Sequence, residues 1–386
     1  MKRLLTFFLI CFSFVEYTRA EDIIDYKYWD EGKLTWDDFQ DTLSLKGVPS
    51  AFNAFLRIEK TEKRDGNTRA IRPEAQACFD KRYSFADRQI QNENLLRLFQ
   101  LKYDLLEMYR RRLQTELNLG VVGIAADNRT RQYMDLYTEQ SKKAEQETEN
   151  GQNEIKLQEW EFYVTKELIE NPAPSIPRIS PRRFGYGFYL GTGASFPVGS
   201  IADYWDPAWQ INVGFDLAYA NTHLLCDFSA GTARTRQEIT VSNGQITDTW
   251  LRNGHNTYTS ISLGIGQQLI STKYFALMPY VGCIWSGYSD QAKIQEGRNE
   301  RTTLSYTNFN WTAGICFDYR FSTTISLVPS FWRGHREIFT ASIRTKLFIN
   351  REQYKNFNAI EGNMIRGCKL GFSVACLGFS RLLQIK

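Results

Sequence analysis

From Phe184 to Ile349 the sequence repeats one pattern, a strand-length stretch in which apolar and polar residues alternate and aromatic residues are frequent. The clearest copy runs from Phe309 to Phe321. At a strand's period of two, Phe309, Trp311, Ala313, Ile315, Phe317, Tyr319 and Phe321 line one face. Asn310, Thr312, Gly314, Cys316, Asp318 and Arg320 line the other. A soluble sheet can bury such a face, but it seldom makes strands this long with aromatics at both ends. A transmembrane barrel needs all of it: an apolar band facing lipid, aromatic girdles and a polar lumen.

Alternation and turn signals give about eight strands, over residues 184–196, 208–220, 223–235, 255–270, 273–288, 304–321, 323–333 and 337–349. In the second, Trp209, Ile211, Val213, Phe215, Leu217 and Tyr219 face one way, and Gln210, Asn212, Gly214, Asp216 and Ala218 the other. Connections after the second, fourth and sixth are tight, near Asn221-Thr222, Ser271-Thr272 and Ser322-Thr323. Those after the first, third and fifth are long, at 197–207, 236–254 and 289–303. Bacterial outer-membrane barrels have short periplasmic turns and longer external loops, so both barrel ends are expected in the periplasm. Side chains fill so narrow a barrel. Asp216, Asp227, Asp318, Arg320, Arg344 and Lys346 fall on polar positions, where they can pair inside; a conducting or ligand-holding lumen is the alternative. Residues 350–386 stay open between a periplasmic tail, part of a ten-stranded barrel and a segment packed on the N-terminal half.

The rest of the composition restricts function more than it assigns it. A formal net charge of +4 over 386 residues singles out neither nucleic acid nor an anionic surface as partner. The mean hydropathy of −0.41 excludes a bundle of membrane helices. Residues 1–20 read as a signal peptide, with Lys2 and Arg3 before the apolar run Leu4 to Val15 and Thr18-Arg19-Ala20 at its exit. Phe8-Leu9-Ile10 before Cys11 lacks the small residues of a lipidation site. Of the other cysteines, Cys78, Cys226, Cys283, Cys316, Cys368 and Cys376, none forms a C-x-x-C pair, which argues against zinc. In an exported chain a disulfide is open, with Cys368 and Cys376 the nearest pair.

Four of the ten prolines fall between Asn171 and Pro181, and residues 171–183 read as an extended linker. Before it, residues 21–170 are largely helical and charged, with helices at about 125–148 and 154–169. This half carries a set of ordered elements: Leu34-Thr35-Trp36-Asp37-Asp38-Phe39, then Phe79-Asp80 with Ser84-Phe85, then the helix Leu95 to Leu113, Glu147-Thr148-Glu149-Asn150-Gly151, and Gln158-Glu159-Trp160. In order and spacing they resemble a family of predicted secreted bacterial zinc-dependent peptidase domains. The resemblance implies a zinc held by an H-E-x-x-H helix, whose residues i and i+4 share one face. Here Leu98 and Lys102 stand at the two His positions, Phe99 at the Glu position and Asn150 at the later His. Such residues make neither a zinc site nor a general base. The three histidines, His223, His255 and His335, all lie in the β-rich half. Asp80, Asp104 and Glu107 read as surface or capping groups.

The expected architecture is therefore α+β followed by all-β: a helix-rich, peptidase-like periplasmic domain, then an antiparallel transmembrane barrel of about eight strands in a Gram-negative outer membrane. The expected function is a membrane-anchored binding or scaffolding module. No catalytic, cofactor-binding or metal-binding residue is assigned. Partners are outer-membrane lipid and an unidentified periplasmic or envelope protein, with no nucleic acid. The alternatives are a small channel or ligand-binding barrel, and a hydrolase whose site the sequence does not reveal.

Overall fold

Local sequence signals set the helices of the N-terminal half. In the computed structural model, which describes residues 26–40, 49–242, 247–293, 301–328 and 336–385, this half contains α1 (Glu93–Leu119), α2 (Ile124–Glu147) and α3 (Glu154–Glu170). Ahead of α1 lie the short strands β1 (Tyr26–Tyr28) and β2 (Ser50–Ala51), the long hairpin β3 (Ala54–Asp65) and β4 (Thr68–Asp80), and β5 (Phe85–Ala86). The signal-peptide residues and Cys11 lie outside the described residues.

The Asn92 side chain caps α1 by accepting from the Leu95 amide at 2.8 Å. Gly120, at φ 121°, ends it. Between these signals Leu95, Leu98, Leu101, Leu105, Leu106, Tyr109 and Leu113 fall on the buried side of the helix. Each fully buried leucine stabilises by about 1.5–3 kcal/mol, so this stripe, not intrinsic propensity, fixes the helix.

Contacts divide the chain into two compact units, and each is described by itself. The first takes in Met1–Glu59, Glu74–Leu117 and Ile124–Ser175; the second takes in Lys60–Pro73, Asn118–Gly123 and Ile176–Lys386.

In the second unit the alternating strands close into a ring. Its members are β6 (Ile179–Gly199), β7 (Ala208–Tyr219) and β8 (Thr222–Arg234). The short hairpin β9 (Ile239–Ser242) and β10 (Thr247–Trp250) interrupts the connection to β11 (His255–Gln267). After the two-residue β12 (Ile270–Ser271) come β13 (Phe275–Lys293), β14 (Arg301–Ser326), β15 (Glu337–Lys355) and β16 (Met364–Ile385). Each ring strand pairs antiparallel with the next, and β16 pairs back onto β6, with Gly199 opposite Gly367 and Ile179 opposite Ile385. The barrel has eight strands and no open edge.

The strand count agrees with the sequence, but its membership does not. Residues 323–326 continue β14 instead of starting a strand, and Ser322-Thr323 is no turn. A bulge between Arg320 and Ser322 shifts the register against β15 there. An extra residue breaks the alternation as a turn does, which explains the misreading. The expected strand over 323–333 also runs into residues 329–335, outside the described residues. The eighth strand is instead β16, drawn from the segment left open. Beyond its bulge β14 has no partner on the β13 side, and residues 68–71 of the second unit pair parallel with 323–326 there, covering that edge.

Burial is inverted relative to a soluble protein. Phe309, Trp311, Ile315, Phe317, Tyr319 and Phe321 are 41–56% exposed, while Asp216 and Arg344 are 0% and 1% exposed. Phe184, Phe188, Trp209, Phe215 and Trp285 join the outer face. The exterior is therefore built for an apolar solvent.

Candidate functional site

Because side chains alternate, one face of each ring strand supplies the interior. On β15 that face presents Arg344, Lys346, Asn350, Glu352 and Tyr354 in sequence order, all at most 6% exposed. At about 3.4 Å per residue they form successive layers along the lumen. In the first, Arg344 donates through Nε to Asp318 at 2.7 Å and through Nη2 to Asp216 at 2.8 Å. Asp216 also lies 2.7 Å from His223 Nδ1. In the second, Lys346 donates to Asp227 at 2.7 Å. Asp227 also accepts from Tyr189 and, at 3.2 Å, from Ser262. Tyr189 can cross the lumen because Gly214 lies opposite it, where a Cβ would collide with its ring.

In the third layer Glu352 accepts from Ser286 and Asn308, each at 2.9 Å, and from Tyr354. Lys369 stands 3.4 Å from Glu352, with its ammonium 3.7 Å from the centre of the Tyr258 ring and 4.3 Å from that of Tyr288. Above it Trp205 stacks on Tyr288 at 4.3 Å, almost parallel, within a cluster that includes Ile239, Trp250, Tyr306 and Phe357. The connections after β6, β8 and β15 supply Trp205, Ile239, Trp250 and Phe357, and strands β13 and β14 supply Tyr288 and Tyr306, so aromatic side chains fill the long-loop end. Between the layers a void of about 30 Å³ remains, enough for a water molecule. Of the six charges expected to point inward, Asp216, Asp227, Asp318, Arg344 and Lys346 pair there. Arg320 instead donates to Ser271 and Thr272 at the short-turn rim.

Sequence reasoning missed Glu352 and Lys369 because their strands were cut short or left unassigned. Tyr189 was legible, since it shares the parity of Gly187 and Gly191. The six described cysteines are free thiols. Cys368 and Cys376 lie eight residues apart on one strand, about 27 Å at the usual rise, which excludes the disulfide left open for them.

In the first unit, residues at the peptidase-motif positions form core. Leu98 and Phe99 are buried. The Phe99 ring lies 5.2 Å from Phe39 and 5.5 Å from Phe52. Lys102 is buried too, paired with Glu145 at 2.5 Å and 4.7 Å above the Phe52 ring. Asn150 is exposed in a left-handed turn after α2, where its amide donates to the Glu145 carbonyl at 2.8 Å. The residues present do not fit zinc: two hydrocarbon side chains, an ammonium and an amide offer no ligand set. Among the described residues no three His, Cys, Asp or Glu side chains gather as metal ligands. His255 is exposed at the start of β11, and His335 lies outside the described residues.

Two of the three carboxylates read as surface or capping groups are placed differently. Asp80 caps a turn, accepting from the Arg82 amide at 3.1 Å. Glu107 is instead buried between Arg110 and Arg111. Asp104 is half-buried and accepts from Trp29 Nε1 and Gln100 Nε2, both at 2.8 Å.

Asp104 and Asp38 give the unit opposite responses to pH. Burial raises the Asp104 carboxyl above its ordinary range, against the bonds from Trp29 and Gln100. Burial also pushes Asp38 up, but hydrogen bonds from Lys27 and Thr35 outweigh it and hold the group below its ordinary range. The stability that Asp38 contributes is therefore present above its unfolded pKa and lost as pH falls through its folded value. For Asp104 the contribution is complete below the unfolded pKa and lost as pH rises through the folded value. Thermal melts of the full chain should show Asp38→Asn lowering the transition of this unit at about pH 7. Asp104→Asn, which keeps an acceptor oxygen, should raise it, and both differences should shrink at about pH 3.

No protein-family model matches the chain, and no curated protein does. Among solved structures, the Ail attachment invasion locus protein of Yersinia pestis, in complex with the heparin analogue sucrose octasulfate, is 11% identical with a TM-score of 0.26. The match covers 51% of this chain and 99% of that one. The N-terminal β-barrel domain of Pseudomonas aeruginosa OprF is 11% identical over 51% of this chain and 99% of its own, with a TM-score of 0.22. A major outer membrane protein of Thermus thermophilus is 11% identical over 51% and 98%, with a TM-score of 0.23. All three are outer-membrane β-barrels. At such identities and scores the likeness adds nothing to the ring of strand registers, on which the barrel rests.

Proposed function

We propose that this chain is an outer-membrane β-barrel protein whose N-terminal unit is a catalytically inactive, peptidase-like domain that binds or scaffolds an envelope partner in the periplasm. The observation that carries the membrane reading is the inverted burial: aromatic rings cover the outside of a closed ring and ion pairs fill its inside. The longest connection, 235–254, and the shortest, 220–221, lie at opposite ends and support the orientation. Connections 200–207, 235–254, 294–300 and 356–363 share one end, expected outside the cell. The turn at 220–221, the connections 268–274 and 327–336 and both ends of the barrel sequence share the other. The loss of catalysis rests on Phe99 and Lys102, whose buried places leave neither a general base nor a metal ligand in the motif.

Purified outer membranes should contain the protein, with a band that migrates differently in SDS before and after boiling, as a folded barrel does. Recovery as a soluble periplasmic protein would refute the anchor. Metal analysis of the purified full chain should find zinc well below stoichiometric. One zinc per chain, or peptide hydrolysis abolished by a chelator, would overturn the inactive reading while leaving the barrel untouched.

A further inference from the structure

The short-turn end of the barrel differs from the aromatic-filled end. It opens into a cavity of about 410 Å³, within the usual range for small-molecule sites. Lys273, Arg320, Arg344 and Arg381 line it, and Asp318 is the carboxylate in its wall. Asp216 holds Arg344 from behind, and Asp65 pairs with Lys273 at 3.0 Å. Four cations against three carboxylates leave one positive charge in excess. That excess falls on Arg320 and Arg381, whose acceptors among the described residues are all neutral: Ser271 and Thr272 for the first, and the Arg183 and Ala220 carbonyls for the second.

One further donor, Arg344 Nη1, and one ring nitrogen, His223 Nε2, are built into the wall. Arg344 Nη1 and His223 Nε2 belong to side chains that are 1% and 6–7% exposed, and neither atom has a hydrogen-bond partner among the described residues. Leaving a buried donor unmade costs about 1–3 kcal/mol, more when it is charged, so such a group calls for a water or a ligand. Both residues border the same cavity as the two surplus guanidiniums.

We infer that this vestibule binds a small soluble oxyanion, an organic phosphate or carboxylate, held between Arg320 and Arg381 above Arg344. Guanidinium forks suit such groups because two parallel N–H bonds meet two oxygens. The site is independent of what the N-terminal unit binds.

Inorganic phosphate and succinate are the probes, applied to the full chain in zwitterionic detergent. Each should raise the melting temperature saturably, beyond the effect of sodium chloride at equal ionic strength. Arg320→Gln with Arg381→Gln should weaken that apparent affinity at least tenfold while the barrel keeps its heat-modifiable band. Should that double variant fail to fold, the unmutated chain still decides: phenylglyoxal should modify Arg320 and Arg381, and phosphate should protect them. An equal response to chloride, undiminished affinity in a folded double variant, or absent protection would overturn the site. So would protection by phosphatidylglycerol in the micelles but not by phosphate or succinate, which would assign the anion to a lipid headgroup.

Discussion

Replacing Arg344 by Met should cost the barrel about 3–5 kcal/mol, the usual penalty for removing one partner of a buried ion pair. Arg344 is 1% exposed and bonds two carboxylates, Asp216 and Asp318, from strands β7 and β14. Without it both carboxylates stay inside the ring: Asp216, 0% exposed, keeps only His223, and Asp318 is left without its cation in the wall of the vestibule. Lys346→Met should cost less, because Asp227 keeps Tyr189 and Ser262 as donors. Urea titrations of the unboiled, folded band in detergent would read both. Adding Asp318→Asn to Arg344→Met should recover part of the loss, since one of the stranded charges then disappears. If Arg344→Met keeps the midpoint of the unaltered protein, the first ionic layer contributes nothing to holding the strands together.

The same layer shows what was legible in the sequence and what was not. Parity along β7, β8, β14 and β15 placed Asp216, Asp227, Asp318, Arg344 and Lys346 in the interior, because in a strand the direction of a side chain follows from its number alone. Parity says nothing of where a strand stops. The bulge at Arg320–Ser322 imitates a turn in the pattern, and so one strand was counted as two. That error hid β16, and with it Lys369 and the partner it offers Glu352. Nor does parity report depth across the barrel. Arg320 has the same parity as Asp318 but lies two residues nearer the rim, where it joins the vestibule rather than the packed layers. Trp205 and Phe357 were out of reach for a different reason. They sit in connections, whose contacts depend on the three-dimensional closure of the ring and carry no period. In the first unit the sequence located the positions where chemistry was missing, but not Glu145, the partner of Lys102, from another helix.

Phe99→Ala should destabilise the N-terminal unit by about 3–5 kcal/mol, the range for truncating a buried aromatic side chain. Phe99 is 4% exposed and packs against Trp36, Phe39 and Phe52, so its ring joins α1 to two segments that precede the long hairpin. Hydrogen exchange on the full chain would localise the effect, with protection lost over residues 93–119 and retained in the barrel strands. Rebuilding the motif is the sharper comparison. Leu98→His, Phe99→Glu and Lys102→His together would restore an H-E-x-x-H sequence on a helix that already presents positions 98 and 102 one turn apart. The cost is a carboxylate placed among Phe39 and Phe52 and the loss of the pair between Lys102 and Glu145. We expect that triple variant to lose protection at least as fully as Phe99→Ala and to take up no zinc. Its remaining folded and binding one zinc per chain would mean that the pocket of a working site survives around the altered residues. The aromatic core would then be a filling that displaced the metal, and the inactive reading would rest on three side chains instead of on the packing of the unit.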